Sequence, residues 1–469
     1  MINNKDMDTF YFILPDGSGQ QVLILPSNAG WTLPCCETPQ RDDRDLMDTV
    51  CFNNAVKEQF RADATTLYAI DAADGEDNIK IVVFENHSHE WKPPGGARWI
   101  SQSKLDDLTF ARPILKTVLE TWFAEAEESK TEEPLIPWSR MGWFDEAAEW
   151  ITDRIRSLGI AIRSPVQQVK SFYSGGTLRV NTDAGYIYFK AVSKAFIREP
   201  EIMGILTKRI PERVPVLLAI NPERRWILVQ DMGGTDLREV SEIEVWEDVL
   251  RTYAQIQITS LEFMDEMLSG PFYDHRIGTI ASAIDSVFKD APILLRDYEQ
   301  CLTGAELEIL RAVIPQIKTL CDEIGSYKVP CTLEHGDLHS GNIRVTQNGL
   351  IFYDWSWSCV THPFLGAAAL LYKEMRRLSA VSHAEERLRD AYLEMWTAYE
   401  PLERLRELFG LMQRWQWVQA VIADAEWVAA YQQEISKRVV LPYSFTEWAL
   451  RRRQYYLAKV LRRITQLLS

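Results

Sequence analysis

The stretch that decides the reading runs from Leu333 to Pro363, LEHGDLHSGNIRVTQNGLIFYDWSWSCVTHP. Asn348-Gly349 is a strong two-residue hairpin signal, and the flanking runs IRVTQ and LIFYD alternate as paired strands do. Counted back from that turn, Val345 faces Phe352 and Ile343 faces Asp354. Asn342 and Asp354 therefore come within one residue of register at the open end of the hairpin. An amide oxygen and a carboxylate converging there make the hard donor set that Mg²⁺ prefers. Asp337, five residues before Asn342, can reach a hydroxyl beside that cation. A base next to two oxygen ligands for a cation suits phosphoryl transfer, where catalysis is positioning plus charge neutralisation.

His335-x-Asp337, then Asn342, then an apolar strand ending in Asp354, resembles the kinase catalytic loop with its metal-binding aspartate. The wording HGDLHSGNI followed by FYDWS is similar to the aminoglycoside phosphotransferase family of small-molecule kinases. That resemblance implies an α+β, bilobal, protein-kinase-like fold, with a β-rich lobe over about 160–232 and a helical lobe over about 235–469. It implies ATP, with GTP as the alternative, together with Mg²⁺, and a hydroxyl-bearing small molecule as acceptor. Asp337 becomes the catalytic base, His335 the brace of its loop, and Asn342 and Asp354 the metal ligands. His339 acquires no role, and His362-Pro363-Phe364 is structural.

Further residues follow from the resemblance. Lys190 in YIYFKAV is matched to the lysine that holds the α- and β-phosphates, and such a lysine needs an ionic partner if buried. Glu199 in FIREPEIMGIL is matched to its carboxylate partner, with Glu201 as competitor. WILVQDMGG resembles the inter-lobe hinge, with Gln230, Asp231 and Met232 offering backbone groups to a nucleobase. Gly175 and Gly176, in Tyr173-Ser174-Gly175-Gly176-Thr177, stand in the place of the phosphate-covering loop. That loop departs from G-x-G-x-x-G.

Outward from this region the chain has a seam at 126–138, AEESKTEEPLIPW, charged and then proline-bearing. It divides a front domain, 1–125, from a linker, 126–142, and a phosphotransferase domain, 143–469. In front, FYFILP, QQVLILP and IKIVVFEN read as strands, and residues 54–68 and 106–124 as helices. Behind it, residues 143–158 read as a helix stopped by Gly159, a hairpin turns at Asp183-Ala184-Gly185, and residues 200–208 form a helix with proline at its start. Beyond Gly234 the chain reads as helical except over 331–358. GWTLP, AVKEQF and RWISQSKLDDL resemble, in order, a Nudix-type α/β/α scaffold. A hydrolytic Nudix site needs several clustered glutamates. Here Glu58 is followed by Arg61 and Ala62, and one carboxylate is too few.

The chain has 469 residues and 46% hydrophobic content, enough for more than one core. Its 51 basic and 67 acidic side chains leave a net charge of −16, which argues against nucleic acid and fits either a cationic acceptor, if the excess lines the cleft, or solubility alone, if it is spread over the surface. Seven scattered cysteines without a C-x-x-C pair exclude a zinc knuckle and fit a reducing compartment. The opening MINNKDMDTFYF has no basic-then-apolar leader pattern, and no apolar run spans a bilayer, so the expectation is a cytoplasmic protein. The rival readings are a catalytically silent pseudokinase and a Nudix-type hydrolase.

Overall fold

The computed structural model describes residues 7–39, 49–74, 77–88, 91–128, 136–172, 174–295, 301–378, 381–435 and 445–468. The chain forms two compact units, Met1–Lys194 with Glu434–Ala449, and Ala195–Gln433 with Leu450–Ser469. Helix and sheet are mixed in an α+β arrangement.

The first unit begins with β1 (Met7–Ile13), β2 (Val22–Ser27), β3 (Gly30–Thr32), β4 (Cys35–Pro39), α1 (Val50–Phe60), β5 (Ala64–Asp74), β6 (Asp77–Asn86), β7 (Arg98–Ile100) and α2 (Pro113–Glu128). One sheet has the order β4-β1-β6-β5, with β1 parallel to β6; a second has the order β3-β2-β7. Strand alternation sends Phe10, Phe12, Val82 and Phe84 to the face covered by Phe52, Val56 and Phe60 of α1. The opposite parity sends Ile13, Ile79, Ile81 and Val83 to Leu115, Leu119 and Trp122 of α2. The result is a helix–sheet–helix sandwich with a core on each face.

Two front-end expectations change. The helix read over 54–68 ends at Phe60, where Arg61 turns left-handed (φ 56°) and donates its N–H to Lys57 O. Residues from Ala64 onward form β5 instead, because Thr65 and Thr66 suit a strand and pair with β6. The helix read over 106–124 begins at Pro113, since the residue before proline avoids helical geometry. A short 3₁₀ turn over Gln102–Asp107 precedes it.

After the seam come α3 (Trp143–Ser157) and an antiparallel meander of β8 (Gln167–Ser171), β9 (Gly175–Thr182) and β10 (Gly185–Val192). Seam residues 129–135 lie outside the described residues. The meander is stitched to the front sandwich by Gln168, whose amide accepts from Thr66 N at 2.8 Å and donates to Thr66 O at 2.7 Å. Ser171 Oγ adds a bond to Leu67 O at 2.9 Å. A buried glutamine with both ends satisfied on one backbone residue mimics a strand partner.

The second unit holds α4 (Glu199–Arg209), the hairpin of β11 (Leu217–Asn221) and β12 (Trp226–Gln230), β13 (Thr235–Asp236), α5 (Ile243–Ser260), α6 (Met264–Ser269), β14 (Tyr273–Asp274), α7 (Ile277–Asp290) and α8 (Gly304–Gly325). It continues through β15 (Thr332–Glu334), β16 (Ile343–Thr346), β17 (Gly349–Phe352), β18 (Cys359–Thr361), α9 (Phe364–Glu374), α10 (Ala384–Leu393), α11 (Leu402–Ile435) and α12 (Phe445–Leu468). Two three-stranded sheets, β13-β16-β17 and β14-β18-β15, sit among the helices. Large side chains fill the interior, with Trp246, Tyr253, Tyr392, Trp396 and Trp415 fully buried. Among the described residues no helix is long and apolar enough to cross a membrane.

Candidate functional site

The catalytic-loop motif leaves β15, makes a short 3₁₀ turn over Ser340–Asn342 and enters β16. The β16–β17 register is Ile343 with Phe352 and Thr346 with Gly349, two residues away from the expected pairing. The turn is therefore Gln347-Asn348, and Gly349 (φ 118°) is the first residue of the returning strand. Thr346 tightens it, accepting from Asn348 N at 3.2 Å and donating to Gly349 O at 2.8 Å. A two-residue shift preserves side-chain parity. Tyr353 N donates to Asn342 O at 3.0 Å, so Asp354 still lies one residue from the position opposite Asn342.

His335 is buried, with Nε2 3.0 Å from Tyr353 O and Nδ1 accepting from Asp337 N at 3.4 Å. Its ring lies 4.5 Å from that of Trp355. Both nitrogens are committed to backbone, and burial pushes the imidazole pKa down to about 4, so a neutral brace is what this histidine supplies. Asn342 Nδ2 donates to Asp337 O at 3.0 Å, which orients the amide. Asp354 holds a left-handed backbone (φ 65°) and accepts from Ser356 Oγ at 3.1 Å. His339, unassigned from sequence, caps the 3₁₀ turn by accepting from Gly341 N at 3.0 Å.

Asp337 is half-exposed and meets Lys373 Nζ at 3.1 Å. Sequence reading missed Lys373: it sits on α9, and only folding brings that helix against the loop. The adjacent Glu374 receives Ser340 Oγ at 2.6 Å and Ser340 N at 3.1 Å. One turn of α9 thus pins both the aspartate and the start of the 3₁₀ turn.

The hinge residues stand at the end of β12, where Gln230 N donates to Val216 O at 3.0 Å. Asp231 and Met232 follow, and Gly233 (φ 61°) and Gly234 (φ 67°) turn the chain into β13, which pairs with β16. A side chain at Gly234 would overlap Val345 O, so the glycine lets this segment lie directly on the β16–β17 hairpin. Of the two candidate glutamates on α4, Glu199 is buried and Glu201 exposed.

In the first unit, Lys190 lies on β10, half-buried, with its Cε near Gly175. Gly175 and Gly176 belong to β9, paired with Val192 and Ala191. Phe172 and Gly175 exchange both backbone hydrogen bonds at 3.1 and 3.2 Å, closing a two-residue turn; Tyr173 in that turn lies outside the described residues. Gly176 also has a packing reason, since a Cβ there would meet the Trp138 indole at 2.9 Å.

A cavity of about 300 Å³ opens within the second unit, reaching Gly336 and Ser356 beside the catalytic loop. Its walls are largely apolar and include the rings of Trp357, Trp417, Trp427, Tyr273 and Tyr372. Two charged side chains of opposite sign, Glu426 and Lys373, also line it. Lys373 is matched by Asp337, while Glu426 lies 3.1 Å from His275 Nε2. Arg453, stacked 4.7 Å from the Trp357 ring, is matched by Asp424 at 3.1 Å.

The buried Glu334 beneath the loop accepts from Tyr253 OH at 2.8 Å, and burial pushes its pKa up to about 7 from 4.5. Between pH 7 and 4.5 the folded state keeps a proton that the unfolded chain releases, so this group adds stability as pH falls. His335, depressed from 6.5 to about 4, acts oppositely and removes stability over that lower window. Glu334→Gln abolishes only the first effect. The melting temperature of the variant relative to wild type should therefore rise from pH 5 to about pH 7 and level off above it in scanning calorimetry; a constant difference would refute the buried-acid assignment.

Residues 177–408, just under half of the chain, match the model of the Phosphotransferase enzyme family. Among solved structures, the choline kinase LicA from Streptococcus pneumoniae is 16% identical with a TM-score of 0.41, covering 67% of this chain and 99% of that one. A choline kinase from Cryptosporidium parvum is 14% identical (TM-score 0.43; 70% and 94% covered), as is a macrolide 2'-phosphotransferase type I (TM-score 0.40; 62% and 96% covered). No curated protein matches the chain.

Proposed function

We propose that the protein is an ATP- and Mg²⁺-dependent phosphotransferase that moves the γ-phosphoryl group to the hydroxyl of a small organic cation. The observation that carries this reading is the aromatic cavity, with Glu426 on its wall and the Asp337 loop at its edge. Electron-rich rings and a carboxylate attract an ammonium group, and the apolar lining takes the carbon skeleton. The match over residues 177–408 supports the phosphotransferase class.

In this reading Asp337 accepts the hydrogen bond of the acceptor hydroxyl and takes its proton as the oxygen attacks. Lys373 fixes the carboxylate, and His335 and Asn342 fix the loop from either side. The Asn342 amide spends its nitrogen on Asp337 O, so its oxygen is the end available to a cation. Together with the Asp354 carboxylate it forms an all-oxygen donor set that fits Mg²⁺. When bound, that ion neutralises charge on the nucleotide phosphates. Lys190 holds the α- and β-phosphates beside Gly175 and Gly176, and Glu199, buried where Glu201 is exposed, is the carboxylate we assign to that lysine. Gln230, Asp231 and Met232 present backbone groups to the nucleobase, adenine before guanine.

Against the silent-pseudokinase reading stands the presence in the sequence of Asp337, Asn342, Asp354 and Lys190 together. A Nudix-type scaffold for the helix–sheet–helix sandwich remains part of the proposal, as a non-hydrolytic positioning domain, because Glu58 is exposed and followed by Arg61 and Ala62. The odd, scattered cysteines support a cytoplasmic setting.

The test is an ATP-consumption screen of hydroxylated amines against neutral isosteres. Cationic alcohols should turn over and their neutral isosteres should not. Glu426→Gln should raise KM for the cation about 3- to 5-fold with kcat nearly unchanged, the size of a partly exposed ion pair. Equal turnover of cation and isostere would overturn the acceptor class; ATP consumption with none of them would leave the phosphotransferase reading without support.

A further inference from the structure

A second cluster of chemically active side chains lies far along the sequence from the catalytic loop, inside the first unit. Glu85 stands on β6, His87 two residues on, just past its end, and Asp145 in the first turn of α3. One ligand atom from each lies within 4.8 Å of those from the other two. His87 Nδ1 is 3.5 Å from Asp145 Oδ1, while His87 Nε2 is 2.9 Å from Thr65 Oγ1. One Glu85 oxygen accepts from Gly142 N. The other is buried and has no hydrogen-bond partner among the described residues, on a residue only 6% exposed.

A buried carboxylate oxygen without a donor is costly and calls for a cation or a proton donor. The cluster offers two carboxylates and one imidazole around a single point. A hydroxyl on the far ring nitrogen is the outer-shell contact that orients a ligating histidine through its other nitrogen. Four-coordinate zinc, at about 2.0–2.1 Å from each donor, separates neighbouring donors by about 3.3 Å, and the His87–Asp145 spacing is already close to that. Magnesium, by contrast, is seldom held by imidazole.

We propose that Glu85, His87 and Asp145 bind a divalent transition-metal ion of the Zn²⁺ type, which clasps the first turn of α3 to the end of β6. The sequence distance matters: the seam at 126–138 lies between the two sides of the clasp. Three protein ligands leave a fourth position for water or for a donor from a bound molecule. The ion also relieves the repulsion of two carboxylates converging on one spot.

The test uses the full chain, stripped with chelator and held in excess Mg²⁺. Titration with Zn²⁺ by calorimetry, and with Co²⁺ read by its visible absorption, should show one equivalent more in wild type than in Asp145→Asn, and likewise against His87→Gln. Bound zinc should raise the melting temperature of wild type by several degrees and leave Asp145→Asn unmoved. Asp145 is mostly exposed, so that variant should melt with stripped wild type in the absence of metal. Identical zinc stoichiometry and stabilisation in wild type and both variants would overturn the site. So would wild type that takes up no ion by 100 µM Zn²⁺. Zinc held by thiols elsewhere is common to all three proteins and cancels from the comparison.

Discussion

Asp337→Asn should lower kcat for ATP-dependent phosphorylation by about 10²–10⁴-fold, the range of a positioned general base, with KM for both substrates within a few-fold of wild type. The substitution keeps the shape of the side chain and removes its ability to take a proton. Backbone supports of the loop remain, because His335 Nδ1 receives the backbone N–H of residue 337 and Asn342 Nδ2 its carbonyl. What the variant loses locally is the Lys373 ion pair, which is half-exposed and worth little to folding. Melting temperature should therefore stay within about 2 °C while turnover collapses, as read by coupled ADP release at saturating acceptor. A variant within threefold of wild-type kcat would remove Asp337 from the mechanism.

Gly336→Ala is the second large effect, and its origin is steric. Gly336 adopts φ 79°, and a Cβ at that position would overlap the Trp357 carbonyl oxygen, a backbone atom that cannot swing aside. Left-handed backbone alone costs a non-glycine residue roughly 1–2 kcal/mol, and the overlap adds to it, for about 3 kcal/mol or more in all. The residue joins His335 to Asp337, so relief of the overlap must displace the aspartate from Asn342 and Lys373. Both the melting temperature and kcat should fall, the latter by at least an order of magnitude. Gly278→Ala, at a helical glycine where a Cβ meets open space, is the matched control: it should leave kcat unchanged and hold or slightly raise the melting temperature. Unchanged stability in Gly336→Ala would mean that the loop relaxes freely and does not hold Asp337 rigidly.

The legibility of the site differed sharply between its parts. The hairpin lies two residues away from the register that Asn348-Gly349 predicts, because the Thr346 hydroxyl pulls the turn back to Gln347-Asn348. The shift is harmless since parity, not absolute register, decides which residues end at the same edge. In the front sandwich, residues 64–68 were read as helix because their apolar spacing fits either element, and pairing with β6 settled them as strand. Pairing energy of that kind comes from another segment, and no local pattern contains it.

The sequence by itself determined the local geometry of the segment from His335 to Asp354. His335, Asp337, Asn342 and Asp354 are positioned by a turn and one hairpin, so their order along the chain carries their geometry. Glu199 is buried and Glu201 exposed, a difference in surroundings that their spacing in sequence does not contain. Only the tertiary structure supplied Lys373 from α9 and Glu426, Trp417 and Trp427 from α11, because a wall made by packed helices has no fixed separation in sequence. The same holds for Glu85, His87 and Asp145, which meet because a helix beyond the seam docks against the strand before it.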